Sequence, residues 1–376
     1  MAEPTVRPIA DKREFKQFIN YQYDRNRADP RWIPPLRLGE IERLTPSKNP
    51  FFAHADVELL LARRDGLDGP VVGRIAAIDD HLHNQTHGDN VAMFGFFEAE
   101  DEETARALLA HVETWARARG RGAVRGPINP SLNESAGLLI SGFDTDPMIM
   151  MPRNPREYAA YIEAAGYGKV KDLYAWIHDV SRDLEPAIHR MADRVQRESR
   201  ITVRPFDLKE FANETERLRE IYCGAWENNW GFVPPTQEEF KRIAKEMKPI
   251  FDSRCAILAE AKGKPIACAV AVPDVNQALR GTDGRLFPLG LVRLLGRRWI
   301  IDQIRLLLLG VLPEYRNVGI FPLLIREMHK LVRAKTPYKR VEFSWVLEDN
   351  HSINQTVQRM GAQHYQTYRI YQKALR

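Results

Sequence analysis

The chain has 376 residues, 44% of them hydrophobic and 28% charged, the balance of a globular protein with room for two domains. Its three cysteines, Cys223, Cys255 and Cys268, show no CxxC spacing, which argues against a disulfide framework or a zinc site. No N-terminal apolar leader and no bilayer-length apolar run is present, so a cytoplasmic protein is expected, and the net charge of +5 suits an anionic small molecule, an anionic lipid surface or nucleic acid alike.

Taken in order, residues 6–27 place Phe15, Phe18, Ile19 and Tyr23 at helical spacing. Prolines 30, 34, 35, 46 and 50 then predict an extended, irregular arm. Residues 57–62 and 71–78 form a predicted hairpin, residues 91–97 a strand, 103–119 a helix and 123–128 another strand. A long polar loop runs to 154, followed by a helix at 155–165 and a strand at 173–180. His81, His83 and His87 fall in a polar turn without a carboxylate at clear ligand spacing, so a solvated loop is expected there, not a metal site. After a helix at 183–200, Ile201-Thr202-Val203-Arg204-Pro205 mirrors Thr5-Val6-Arg7-Pro8 and the order begins again. Helices at 214–225 and 236–247 lead to a hairpin at 255–259 and 265–272. A strand near 306, its helix, a strand at 340–346, a helix at 352–360 and a strand at 365–372 complete the second half. The repeat predicts two copies of one αβ unit, 1–182 and 183–376.

Residues 304–321, IRLLLLGVLPEYRNVGIF, organise the second half. The leucine run lacks polar alternation, as in a strand buried on both faces, and Pro313 ends it. A tight loop with Arg316 and Gly319 follows, then an apolar helix carrying Leu324, Ile325, Met328 and Leu331. Strand, loop and helix in this order offer backbone N–H groups and a positive dipole end to an anion. The form V-L-P-E-Y-R-x-x-G-I resembles the pyrophosphate loop of the GNAT superfamily of acyl-CoA-dependent N-acyltransferases. The resemblance implies an α/β (α+β) fold, with two tandem units each holding a mixed, mostly antiparallel sheet covered by helices on both faces. It also implies acyl-CoA as co-substrate, held by Arg316, Asn317, Val318, Gly319, Ile320 and Phe321, with no metal. Phe321 departs from the family pattern, which has Gly or Ala there. By the family's pattern the preceding strand supplies a main-chain N–H to the thioester carbonyl, which falls on Leu309, Gly310 and Val311.

The first half departs from this motif. Its strand runs into Glu98, Ala99, Glu100, Asp101, Glu102 and Glu103, whose carboxylates repel an anion and also suit a helix N-terminus. The first unit is therefore expected to have lost CoA binding. The family's usual acid is a Tyr two turns past an Asn. Asn350 fits that Asn, with Asn354 one turn on, but the Tyr position is Gln358. Glu348, Asp349 and His351 at the strand end are the remaining candidates for proton transfer; Asp349 equally suits a helix cap. The block 222–232, YCGAWENNWGF, borders the acceptor site in the family, which makes Trp226, Asn229 and Trp230 substrate candidates, with core packing the alternative reading for the two tryptophans.

Residues 273–303 are an insertion where a GNAT unit has a short turn. It interleaves Phe287, Leu291 and Trp299, among other apolar residues, with Arg285, Arg293, Arg297 and Arg298, a basic interfacial pattern. An extra core or dimer helix is the alternative, and the segment is too aliphatic for a nucleic-acid platform. The segments 284–290, 306–320, 345–350 and the Trp226–Trp230 block together resemble tandem-GNAT bacterial proteins that include ceramide synthases. That resemblance implies fatty acyl transfer to the amine of a long-chain sphingoid base beside an anionic membrane surface. A soluble N-acetyltransferase of small or peptidic amines and a non-catalytic acyl-CoA-binding module are the other expectations; oligomeric state carries no sequence signature.

Overall fold

The computed structural model describes residues 3–376, Asn317 without its side chain. In chain order the elements are β1 (Thr5–Pro8), α1 (Lys12–Arg25), α2 (Arg37–Arg43), β2 (Ala55–Arg63), β3 (Val71–Asp80), α3 (His81–His87), β4 (Val91–Ala99), α4 (Glu102–Ala118), β5 (Ala123–Gly126), β6 (Leu138–Ser141), α5 (Tyr158–Ala164) and β7 (Gly168–Asp179). There follow α6 (Pro186–Glu198), β8 (Ile201–Pro205), α7 (Phe211–Trp226), α8 (Gln237–Met247), β9 (Ala256–Ala261), β10 (Lys264–Pro273) and the insertion helices α9 (Asn276–Leu279), α10 (Leu291–Leu295) and α11 (Arg297–Ile300). The chain ends with β11 (Gln303–Val311), α12 (Ile320–Lys335), β12 (Arg340–Leu347), α13 (His351–Arg359) and β13 (Gln363–Ala374).

Contacts divide the chain into two compact units. Of the described residues, those up to Leu173 group with Arg280–Leu286 and Gln366–Arg376, and Tyr174–Leu279 groups with Phe287–Tyr365. The contacts thus divide at 173/174, not at 182/183, and the last strand counts with the first unit. The sheet of the first unit is ordered β1-β2-β3-β4-β5-β13, with β6 on β13; that of the second is β7-β12-β11-β10-β9-β8. Each half thus sends its last strand into the sheet of the other. In each sheet one pair next to the exchanged strands is parallel, β4–β5 and β11–β12.

The repeat seen in sequence is also a repeat of contacts. β1 and β8 are edge strands antiparallel to β2 and β9. Arg7 on β1 pairs with the buried Glu14 at 2.5 Å, and Arg204 on β8 pairs with the buried Glu214 at 2.8 Å. Leu108, Leu109 and Val112 of α4 pack on Phe94, Ile75 and Tyr371 in the first core. Leu218 and Ile221 of α7 pack on Phe206, Leu258, Val270 and Leu308 in the second.

Three expectations differ from the structure. The proline-broken arm contains α2, because Pro34 and Pro35 precede that helix and do not interrupt it. The long polar loop contains β6, four residues whose partner is the distant β13, a pairing local pattern cannot reveal. The histidine turn is the helix α3, capped by Asp80. There His83 is buried with Nε2 3.2 Å from Asp89 and 3.2 Å from the Arg125 guanidinium; burial and then Arg125 push its pKa down to about 4. Among the described residues no group of three or more His, Cys, Asp or Glu could hold a metal ion.

Candidate active site

The candidate site lies in the second unit, where β11 and β12 part. Their parallel ladder runs from Gln303–Arg340 to Leu306–Phe343, while β11 stays paired with β10 as far as Val311. The β10–β11 register shifts between Val270 and Ala271, which pair with Leu308 and Leu306, so Leu307 is an extra residue on β11. A bulge bends a strand and increases its twist, and this one sits where β12 is lost as a neighbour. It also switches the parity of the faces: Leu306 turns toward α12, while Leu308 joins the core under α7. Past the bulge, the Leu312 N–H donates to the Ile266 carbonyl on the β10 side. By the alternation of a strand, the N–H groups of Leu309 and Val311 face the edge that β12 has left. Gly310 faces the other way. Its glycine is required because an added Cβ would lie 2.3 Å from Cζ3 of Trp226 and 3.0 Å from Cβ of Ala225. The close approach is thus by a side chain of this protein.

Beyond Pro313 the loop winds as a short 3₁₀ turn to Gly319, whose φ of +80° is left-handed. Gly319 is the N-cap of α12, and among the described residues no side chain caps that helix, which leaves its first-turn N–H groups available to an anion. Pro322 contributes no N–H, and Ile320 is buried beneath the turn while Phe321 is half-buried. Arg316 is exposed; its guanidinium donates to the Ala225 carbonyl at 2.8 Å, which ties the loop to the end of α7. Val318 is exposed. The side chain of Asn317 lies outside the described residues.

The corresponding place in the first unit is filled by the chain itself. β4 carries the equivalent register shift, between Arg74 and Ala76. There the Phe96 N–H donates to Oδ1 of Asn129 at 2.6 Å, and the Ile128 N–H donates to the Phe94 carbonyl at 2.8 Å. A Cβ at Gly95 would strike the Ile128 carbonyl at 1.9 Å. Asp101 caps α4 by accepting from the Thr104 N–H, and its carboxylate also pairs with Arg64. Both the strand edge and the helix N-terminus are taken.

At the end of β12, Glu348 is half-buried, whereas Asp349 and His351 are exposed. Asn350, not Asp349, caps α13, with Oδ1 accepting from the Ile353 N–H at 3.3 Å. Asn354 donates to the Leu347 carbonyl at 2.9 Å and accepts from the Trp176 indole at 3.0 Å, so it fastens the strand end to α13 and β7. Trp226 and Trp230 are half-buried on the α7 side, with the Trp226 ring also 4.8 Å from Tyr222; the Asn229 N–H closes a turn on the Trp226 carbonyl. The insertion residues Phe287, Leu291 and Trp299 lie apart from this cluster in sequence and are exposed.

One group at the strand junction escaped the sequence reading. Arg305 and Glu342 are paired across β11–β12 next to the last ladder pair, and both are buried. Tyr365 donates to Glu342 at 2.7 Å and Arg305 donates to Ser344 Oγ at 2.7 Å. Burial pushes the Glu342 carboxyl up, partly offset by Arg305. The available signal was a charged residue at a buried strand position.

These two units, each with a mixed sheet and one parallel pair, define a protein of the tandem GNAT fold. Among solved structures, a tandem GNAT protein from the clavulanic acid biosynthesis pathway superposes with a TM-score of 0.58 at 14% identity, covering 100% of this chain and 99% of that one. A GCN5-related glucosamine N-acetyltransferase region of a fungal multi-domain GH3 β-N-acetylglucosaminidase gives 0.58 at 14% identity, over 99% of this chain and 38% of that one. No family model matches the sequence. A bacterial ceramide synthase of Caulobacter vibrioides (strain NA1000 / CB15N) is 37% identical over 383 residues, covering 100% of this chain and 98% of that protein. Protein YghO of Escherichia coli (strain K12) is 35% identical over 377 residues, covering 98% and 95%. The chain belongs to the family of the bacterial ceramide synthase and is a GNAT-fold N-acyltransferase.

Proposed function

We propose that the protein transfers a fatty acyl group from acyl-CoA to the amine of a long-chain sphingoid base, working at an anionic membrane surface. The observation that carries this reading is the insertion. Phe287, Val292, Leu295 and Trp299 are 78%, 65%, 71% and 74% exposed, beside Arg285, Arg293, Arg297 and Arg298. Large apolar residues left together in water invite association unless something covers them. A headgroup boundary satisfies both halves of this pattern. Each arginine near an anionic surface adds roughly 1 kcal/mol, and each apolar side chain fully removed from water roughly 1.5–3 kcal/mol. No described helix is long and apolar enough to cross a membrane, so contact from one side is the arrangement proposed.

The donor fits the second unit. The N-terminus of α12, which no described side chain caps, and the left-handed Gly319 suit a pyrophosphate, and the β11 edge at Leu309 and Val311 suits the pantetheine arm and the thioester carbonyl. The acceptor ammonium must first lose a proton, a role we assign to the half-buried Glu348, with the exposed Asp349 and His351 as the further candidates. The amine lone pair then attacks the thioester carbon, the C–S bond breaks, and the thiolate takes up a proton. Trp226, Asn229 and Trp230 border the acceptor's approach.

The test compares palmitoyl-CoA with acetyl-CoA, and a sphingoid base with a water-soluble amine, by mass spectrometry of the product. Liposome co-sedimentation with and without anionic lipid accompanies it. N-palmitoylated base and binding to anionic vesicles are expected. A preference for acetyl-CoA and a soluble amine, without vesicle binding, overturns the lipid reading.

A further inference from the structure

Beneath the junction of β11 and β12 the second unit holds a cavity of about 30 Å³. Leu306 and Phe343, the last ladder pair, line it, with Leu324 and Met328 of α12 and Met360 after α13. No residue of its lining is aspartate, glutamate, lysine or arginine, and its two histidines, His178 and His329, are both pushed toward the neutral form by burial. A lining of this kind offers water few hydrogen-bond partners and favours hydrocarbon. A packed interior normally tolerates few such gaps, because each forfeits contacts on its wall.

The geometry of the strand junction limits where a long acyl chain can go. A donor anchored at the N-terminus of α12 and lying along Leu309–Val311 points its acyl group back toward Leu306 and Phe343. There the two strands rejoin, so a chain of more than a few carbons must leave through one face of the sheet. The α7 face is filled: Leu308 packs against Phe206, Leu218 and Ile221, and the Trp226 ring covers Gly310. The α12 face has the cavity, directly under the last ladder pair. We propose that this cavity is the end pocket for the hydrocarbon chain of the acyl donor and sets the chain length accepted. As it stands it has room for only the tip of a chain. Met328 and Met360 on its wall are unbranched and soft, so they yield space by changing rotamer at small cost.

The inference rests on the acyl-CoA reading above, and its test separates the two. On the full chain, kcat/KM is measured across a series from acetyl-CoA through octanoyl-CoA to stearoyl-CoA with one acceptor. The wild type is compared with Val332→Phe, which fills the cavity, and Met328→Ala, which widens it. Val332→Phe should lose about tenfold more with palmitoyl-CoA than with octanoyl-CoA, the scale of a few methylenes excluded from a pocket, and Met328→Ala should move the optimum to longer chains. Should Val332→Phe not fold, by near-ultraviolet circular dichroism, Ala269→Val reads the same outcome from the β10 wall. A wild type that uses only acetyl-CoA removes the fatty-acyl reading and this pocket with it. A wild type that prefers long chains, with folded variants that keep its profile or lose activity equally at every length, removes the pocket alone.

Discussion

Replacing Gly319 separates the charge requirement of the α12 N-terminus from its backbone requirement. Gly319 has φ +80° and ψ 30°, a region in which Asn and Asp are the better tolerated side chains. A Cβ placed there meets only Cγ2 of Val195, at 3.5 Å, an ordinary contact. Gly319→Asn and Gly319→Asp should therefore fold alike, each losing about 1 kcal/mol for leaving glycine at a left-handed position. They differ by one negative charge. A carboxylate about 5 Å from a pyrophosphate at the mouth of a helix, with partial solvent screening, costs roughly 2–4 kcal/mol. That is about thirtyfold to nearly a thousandfold in Kd. Calorimetric titration of CoA into both variants measures the gap, and raising the salt concentration should narrow it. Equal CoA affinity for the two variants, with equal melting temperatures, refutes the cradle.

At the strand end, Glu348→Gln should lower kcat by about 10²–10⁴ if this carboxylate takes the amine's proton, and Asp349→Asn much less. Asn350 holds the α13 cap, so a loss of kcat at an unchanged melting temperature reads the chemistry, and two folded variants with near wild-type kcat would leave it to positioning. In the first unit, Asn129→Ala strands the Phe96 N–H and should cost about 1–2 kcal/mol. CoA stoichiometry should stay at one per chain, whereas a second CoA in calorimetry would mean that Asn129 alone closes that unit. His178 gives a pH dependence. Burial, then His329, hold its pKa down from 6.5 to about 4, and neither ring nitrogen has a hydrogen-bond partner among the described residues. The unfolded chain binds this proton more readily, so the stability is present above pH 6.5 and is lost as pH falls toward 4, by roughly 3 kcal/mol in all. His178→Leu should flatten the fall of melting temperature between those pH values; an unchanged slope excludes His178 as its source.

What the sequence determined by itself was local and periodic. The leucine run from 306, Pro313 and the Gly319 turn specify a strand, a loop and a helix N-terminus without help from distant residues. The acidic residues from Glu98 to Glu103 likewise distinguish the two copies as sequences, since a carboxylate beside a helix N-terminus acts within one turn. The repeat was legible because Thr5–Pro8 and Ile201–Pro205 face the same edge-strand problem twice. Only tertiary structure decided the remainder. No local signal says that β13 and β6 pair, that Asn129 takes up the Phe96 N–H, or that Gly310 is held small by Trp226, because each partner arrives from far along the chain. Asn354 makes the same point: its amide donates to the Leu347 carbonyl and accepts from the Trp176 indole, and the latter partner comes from far along the chain. Arg305 and Glu342 are visible as letters, but a charge within a strand becomes a buried pair only when its neighbours exclude water. The cavity under Leu306 and Phe343 belongs to no residue in particular. It exists because a bulge at Leu307 turns one side chain away and two strands part, a consequence of packing that one-dimensional pattern does not encode.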